Sequence, residues 1–238
     1  MTAVTVTTSI DSDTTNPTNE TPDIGQLLAN LDAADSSVGV IKAVVALAQA
    51  RSTAAIVKLI EVLGYNNPGA AVTAVDGLVA IGKPSVEPLL ELLDGYNYGA
   101  RAWAMRALSQ IGDPRAIEVL LEAMVDFSLS VRRAAAKGVG SLCWQDVPIA
   151  DLDGLRSRIV TALTQTAMDD EWVVRYASVV GLQGVAASLT EFPSSETGEL
   201  GDRIGVELAR RCSDDPEVVV RVRATFALTQ ITDRPASQ

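Results

Sequence analysis

The 238-residue chain has no histidine. That excludes Ser-His and Cys-His catalysis and any His-ligated metal site. Its two cysteines, Cys143 and Cys212, are too few for a disulfide framework and suit a reducing compartment, so a cytoplasmic location is expected. Aromatic residues make up only 4% of a chain that is 47% hydrophobic. Such a core must be Ala, Val and Leu packed closely, which favours helix on helix. No uninterrupted apolar run approaches the roughly 20 residues of a membrane span. Residues 1–22 have neither the basic start nor the apolar block of a signal peptide. Basic residues are outnumbered 19 to 30, a net charge of −11, which argues against a nucleic-acid or anionic-membrane surface. Nothing resembles a phosphate loop, a metal cluster or a hydrolase triad, so no cofactor or metal is expected.

The helical pattern is densest in residues 99–136, GARAWAMRALSQIGDPRAIEVLLEAMVDFSLSVRRAAA. Ala102, Met105, Ala107 and Leu108 mark one apolar stripe, and Ile117, Leu120, Leu121 and Met124 mark a second. Between them Gly112, Asp113 and Pro114 supply a stop, an N-cap and a Pro at the first helical position. A helix pair this short cannot bury its apolar faces alone and needs copies on either side.

The copies are present. VGVIKAVVALAQAR from Val38, GAAVTAVDGLVAIG from Gly69, GARAWAMRALSQIG from Gly99, SVRRAAAKGVGSLC from Ser130, VVRYASVVGLQGVA from Val173 and VVRVRATFALTQIT from Val219 align, with starts 31, 30, 31, 43 and 46 residues apart. One column reads Ala43, Ala74, Ala104, Ala135, Ser178, Ala224. Another reads Ala46, Gly77, Ala107, Gly138, Gly181, Ala227, and the next Leu47, Leu78, Leu108, Val139, Leu182, Leu228. Small residues let neighbouring helices approach while the Leu column fills the layer between them. Each window reads as the first helix of a unit, followed by a second such as AAIVKLIEVL or AIEVLLEAM. The fold expected is all-α: an α-solenoid of short HEAT-like helical hairpins over residues 23–234, with a period near 30 and two longer units near the C-terminus. Residues 1–22 read as a disordered tail and 235–238 as a second tail. Residues 146–154 and 188–201 read as longer loops on one edge.

Four groups of residues are candidates for chemistry. Arg101, Arg132, Arg175 and Arg221 recur at one place in four windows, with Asp126, Asp169, Asp170, Asp214 and Asp215 before them. The favoured reading is a ladder in which each Arg ties its helix start to an Asp of the turn before it. Arg106, Lys137 and Asp76 share a second column, and Arg133 is close to it. They form either a solvated face or a ligand-facing stripe. Tyr65 with Asn67, and Tyr96, Asn97 and Tyr98, occupy equivalent turns between windows. With Trp103 and Tyr176 they suit a surface that stacks on and hydrogen-bonds something flat, or else caps between units. Cys143 and Cys212 read as packed or neutral thiols rather than nucleophiles.

The strings YNNPGAAVTAVDGL, YNYGARAWAMRALSQIGDPRAIEVLL, DFSLSVRRAAAKGVG and EWVVRYASVVGLQGV resemble the F-type subunit of the E/F heterodimeric phycobilin lyases, over roughly residues 37–233. The resemblance implies a homologous helical-repeat E-type partner. Together the two would attach phycocyanobilin, as substrate, to a cysteine of the phycocyanin alpha subunit through a thioether at the ring A ethylidene. The acceptor brings the thiol, so the lyase needs no nucleophile and must instead hold, polarise and shield the bilin. On this resemblance Asp76 and Asp126 contact pyrrole nitrogens in the catalytic role, Arg101, Arg106 and Arg133 take the propionates, and Tyr65, Asn67, Tyr96, Asn97, Tyr98, Trp103 and Tyr176 bind the rings. Relatives that isomerise the bilin carry a His-Cys signature, which this chain lacks. The alternative is a non-catalytic helical-repeat scaffold or chaperone in phycobilisome assembly.

Overall fold

The computed structural model describes residues 23–93 and 98–232. Both expected tails, residues 1–22 and 235–238, fall outside the described residues. So do Tyr96 and Asn97.

Twelve helices follow one another among the described residues, with no strand. They are α1 (Ile24–Asp32), α2 (Ser37–Gln49), α3 (Ile56–Leu63), α4 (Pro68–Ile81), α5 (Val86–Leu93) and α6 (Tyr98–Ile111). Then come α7 (Ile117–Ala123), α8 (Leu129–Gly138), α9 (Leu152–Thr166), α10 (Trp172–Glu191), α11 (Thr197–Asp214) and α12 (Val218–Thr232). The starts are set locally. Ser36 and Asn67 accept N–H bonds from Gly39 and Ala70 at 3.1 and 3.2 Å, and Pro68 opens α4 where no N–H partner is needed. Asp113 caps one step earlier than its sequence suggests. It bonds the Arg115 N–H and holds the 3₁₀ turn Pro114–Ala116, which leads into α7.

The six aligned windows are α2, α4, α6, α8, α10 and α12, and they stack in one continuous row, each on the next. The remaining helices make a second layer. Helices α4, α6 and α8 each pack more closely with the helix before them than with the helix after, α12 packs closely on α11, α10 packs equally with α9 and α11, and α2 lies against α1. A unit is therefore a leading helix followed by its window, the reverse of the order expected. The reason lies in the connections, since the tight turn runs from leading helix into window, as in residues 64–67.

Leu47, Leu78, Leu108, Val139 and Leu182 are completely buried along the row, each worth about 1.5–3 kcal/mol of apolar transfer. Glycine in the adjoining column is required by closeness. A methyl group on Gly181 would strike the Ala136 carbonyl oxygen, and one on Gly140 would strike the Gly181 backbone. Helices α8 and α10 thus meet backbone to backbone.

The stretch 188–201 is mostly helix rather than loop. Helix α10 runs to Glu191, α11 starts at Thr197, and Leu189 and Leu200 are buried. Arg156 of α9 explains this extension. Fully buried, it stacks on Trp144 and donates to the carbonyls of Ser188 and Phe192 at 2.8 and 2.9 Å, closing the end of α10. Helix α10 is long and apolar enough to cross a membrane by composition, but 61% of that stretch is buried inside the fold, as befits a core helix.

Candidate functional site

Two rows of cations run along the window helices, and the structure uses them differently. The first row laces the tight turns together. Arg101 donates to Asp126 at 3.2 Å, Arg132 to Asp169 at 2.7 and 3.1 Å, and Arg175 to Asp215 at 2.9 and 3.0 Å. Each Arg reaches forward to the Asp of the following unit, not back to the turn before it as the sequence suggested. It is the backbone that binds it to the preceding turn. Arg132 donates to the carbonyls of Asp126 and Phe127, Arg175 to those of Asp169 and Asp170, and Arg221 to those of Asp215 and Pro216. Asp126, Asp169 and Asp215 also accept the N–H two residues on, at 2.8, 2.9 and 3.0 Å. A guanidinium fork matches a carboxylate on one side and two carbonyls on the other, which an ammonium cannot do.

The ladder tightens toward the C-terminus. Side-chain exposure falls from 34% at Arg101 to 17% at Arg132 and 7% at Arg175. Burial pushes the Asp215 carboxyl up. The Arg175 fork, the Glu217 N–H and the Arg211 charge outweigh it, and the group sits below its ordinary 3.8. Asp169 is lowered in the same way against burial, by Arg132.

The second row lies on the other flank of the same helices. Between α6 and α8 a groove of about 400 Å³ is lined by Trp103, Arg106, Gln110, Arg133 and Lys137, with Ser130 among its other lining residues. The Arg106 guanidinium lies 5.9 Å from the Trp103 ring centroid. Arg106, Arg133 and Lys137 have no carboxylate within ion-pair distance among the described residues. In a protein of net charge −11, three such cations around an indole make a seat for a planar anion. A larger hollow of about 540 Å³ lies between α9 and α11, but its cation Arg203 is already bonded to Ser157 and Thr161.

The expected site residues separate accordingly. Trp103, Arg106 and Arg133 come together in the groove. Arg101 and Asp126 are joined to each other in the ladder, and the Asp126 carboxylate is spent on Arg101 and the Ser128 N–H. Asn67 is occupied too. It caps α4 and its amide donates to the Ser37 carbonyl and hydroxyl at 3.1 Å, tying the starts of α2 and α4 as the Arg ladder ties later ones. Tyr65 is exposed in the same turn. Asp76 is exposed on α4, one unit before Arg106 in the same column and without an ion pair among the described residues. Tyr176 packs on α10 beneath Arg223, whose guanidinium is 6.0 Å from its ring and 5.4 Å from that of Phe226. Tyr98 is the first residue of α6. The three Trp have three fates: Trp103 lines the groove, Trp144 is core and Trp172 is exposed on the turn edge.

Gln110 lines the groove and was not among the expected residues. It lies one turn beyond Arg106, so a reading of columns eight and twelve of each window would have found it.

The model of HEAT repeats matches residues 58–140 and 86–183. The chain is 52% identical over 212 residues, 89% of its length and 95% of the other's, to "Phycocyanin alpha phycocyanobilin lyase CpcF" of Synechocystis sp.. It is 45% identical to "Phycobilisome maturation protein" of Synechococcus elongatus, over 85% of this chain and 95% of that one. Among solved structures it resembles a chain of the complex of CpcE and CpcF of phycocyanin lyase from Nostoc sp., with a TM-score of 0.66 and 42% identity, over 74% of this chain and 99% of that one.

Proposed function

Because this chain belongs to the HEAT-repeat family of F-type phycobilin lyase subunits, we propose that it works as half of a heterodimer with an E-type partner. The pair attaches phycocyanobilin to a cysteine of the phycocyanin alpha subunit. The observation that carries the site is the set of uncompensated cations around Trp103. A linear tetrapyrrole offers a flat conjugated system and two propionates, and the α6–α8 groove offers an indole face with Arg106, Arg133 and Lys137 around it. The propionates pair with the arginines, and the rings lie toward Trp103.

The chemistry then needs little from this chain. The acceptor thiolate adds to the ring A ethylidene, a carbon–sulfur bond forms, and the proton lost by the thiol is matched by one gained on the bilin. Among the described residues no carboxylate lines the groove. Asp126 is held in the ladder, so of the two carboxylates expected to contact pyrrole nitrogens Asp76 is the one available, from the neighbouring unit. The groove's contribution is position and exclusion of water.

Co-expression of this chain with an E-type subunit, the phycocyanin alpha subunit and phycocyanobilin tests the reading. Acid-stable colour on the acceptor is expected, and the double variant Arg106→Ala, Arg133→Ala reduces it at least tenfold. Binding of the acceptor without any adduct would favour the scaffold reading instead.

A further inference from the structure

The tight turns on the ladder edge carry a feature that neither fold nor groove requires. Asp126, Asp169 and Asp215 each precede a ladder Arg by six residues. Three places after each Asp, at the first residue of α8, α10 and α12, stand Leu129, Trp172 and Val218. They are 39%, 41% and 57% exposed, and Phe127 in the first of these turns is 81% exposed. Val125, Met168 and Val219, next to these turns in sequence, are exposed as well. Because the Arg forks bind each turn to the next, the residues lie side by side, about 10 Å apart per helix layer. A helix start ordinarily takes a polar or acidic residue, so the three large apolar groups at these helix starts are not explained by local stability.

Around them lie Asp170, Glu171, Asp214 and Glu217, exposed and without an ion pair among the described residues. Apolar groups rimmed by carboxylates outside any ion pair fit a protein surface that is apolar with a basic rim. The stripe also borders the groove: Leu129 is followed by Ser130, which lines it.

On the lyase reading above, we infer that this edge docks the acceptor subunit, bringing its cysteine to the mouth of the α6–α8 groove. The acceptor rather than the E-type subunit is favoured by two features. The thiol must arrive beside the groove, and the product must leave. Single apolar side chains separated by carboxylates suit a surface that releases its partner, whereas a permanent dimer interface is more continuously apolar.

The test uses the heterodimer of this chain with its E-type subunit, titrated with apo phycocyanin alpha subunit in the absence of bilin. The variant carries Trp172→Glu and Val218→Glu, which place carboxylates where helix starts favour them, so folding is preserved. Acceptor affinity is expected to fall at least tenfold, while thermal melting and co-elution with the E-type subunit stay unchanged. Raising salt weakens wild-type acceptor binding, as charge complementarity requires. Unchanged acceptor affinity in the variant overturns the inference. So does loss of the E-type subunit, which assigns the edge to that partner, and so does a wild-type dimer of this chain that the variant abolishes. Adduct formation is scored separately with wild-type protein and bilin. Acceptor binding without covalent colour sinks the lyase reading, whereas covalent colour with unchanged binding in the variant sinks only the docking edge.

Discussion

Arg132 and Arg133 are neighbours in sequence and opposites in use. Arg132 has its guanidinium saturated by Asp169 and two carbonyls, while Arg133 faces the groove with no carboxylate within ion-pair distance among the described residues. The same division runs along the window row, between the ladder of Arg101, Arg132 and Arg175 and the groove cations Arg106, Arg133 and Lys137. Residue type therefore says nothing here about role. A cation whose partners are complete is structural, and one left unpaired in an acidic protein is available to a ligand.

The comparison can be broken from either side. The largest effect is expected from Arg175→Ala, which leaves the fully buried Asp215 with only the Arg211 guanidinium at 3.7 Å and the Glu217 N–H in place of its bidentate partner. Loss of one partner of such a pair costs about 3–5 kcal/mol, read as a lowered denaturant midpoint, with the groove untouched. Acid is a milder form of the same damage. The folded Asp215 and Asp169 carboxyls titrate below the ordinary 3.8, so the ladder's contribution is complete above that pH and is lost as pH falls through the folded values. Asp169→Asn with Asp215→Asn should flatten the fall in stability below pH 4, measured by chemical denaturation across pH.

From the other side, Arg106→Ala with Arg133→Ala should leave the unfolding free energy within about 0.5 kcal/mol of wild type, with little change in the denaturant midpoint. Bilin transfer should drop about 10- to 100-fold, as expected when charged hydrogen bonds worth about 1.5–3 kcal/mol are removed. A midpoint that fell as far as in Arg175→Ala would erase the distinction. The smallest effect sharpens it within the ladder: Arg101, a third exposed, should cost under about 1 kcal/mol on replacement by Ala, so the cost should rise along the row from Arg101 to Arg175.

Much of this was legible in residues alone. The Ala, Gly and Leu columns gave the stacking row, and the recurrence of Arg at one place pointed to a ladder. The direction of that ladder was not legible, because whether a long side chain reaches the preceding or following turn depends on how far each unit is rotated on its neighbour. Nor was the fate of Asp126, which a fork from the previous unit removes from the ligand side. The stretch 188–201 misled because Ser, Thr and Pro there suggest a loop, and the buried Arg156 that extends α10 to Glu191 comes from another helix.

Sequence by itself determined the row of stacked helices, since each repeat needs only its nearest neighbours and small and large residues alternate in fixed columns. Tertiary structure decided which cations are spent and which are left, because pairing depends on angles between units that no single repeat encodes.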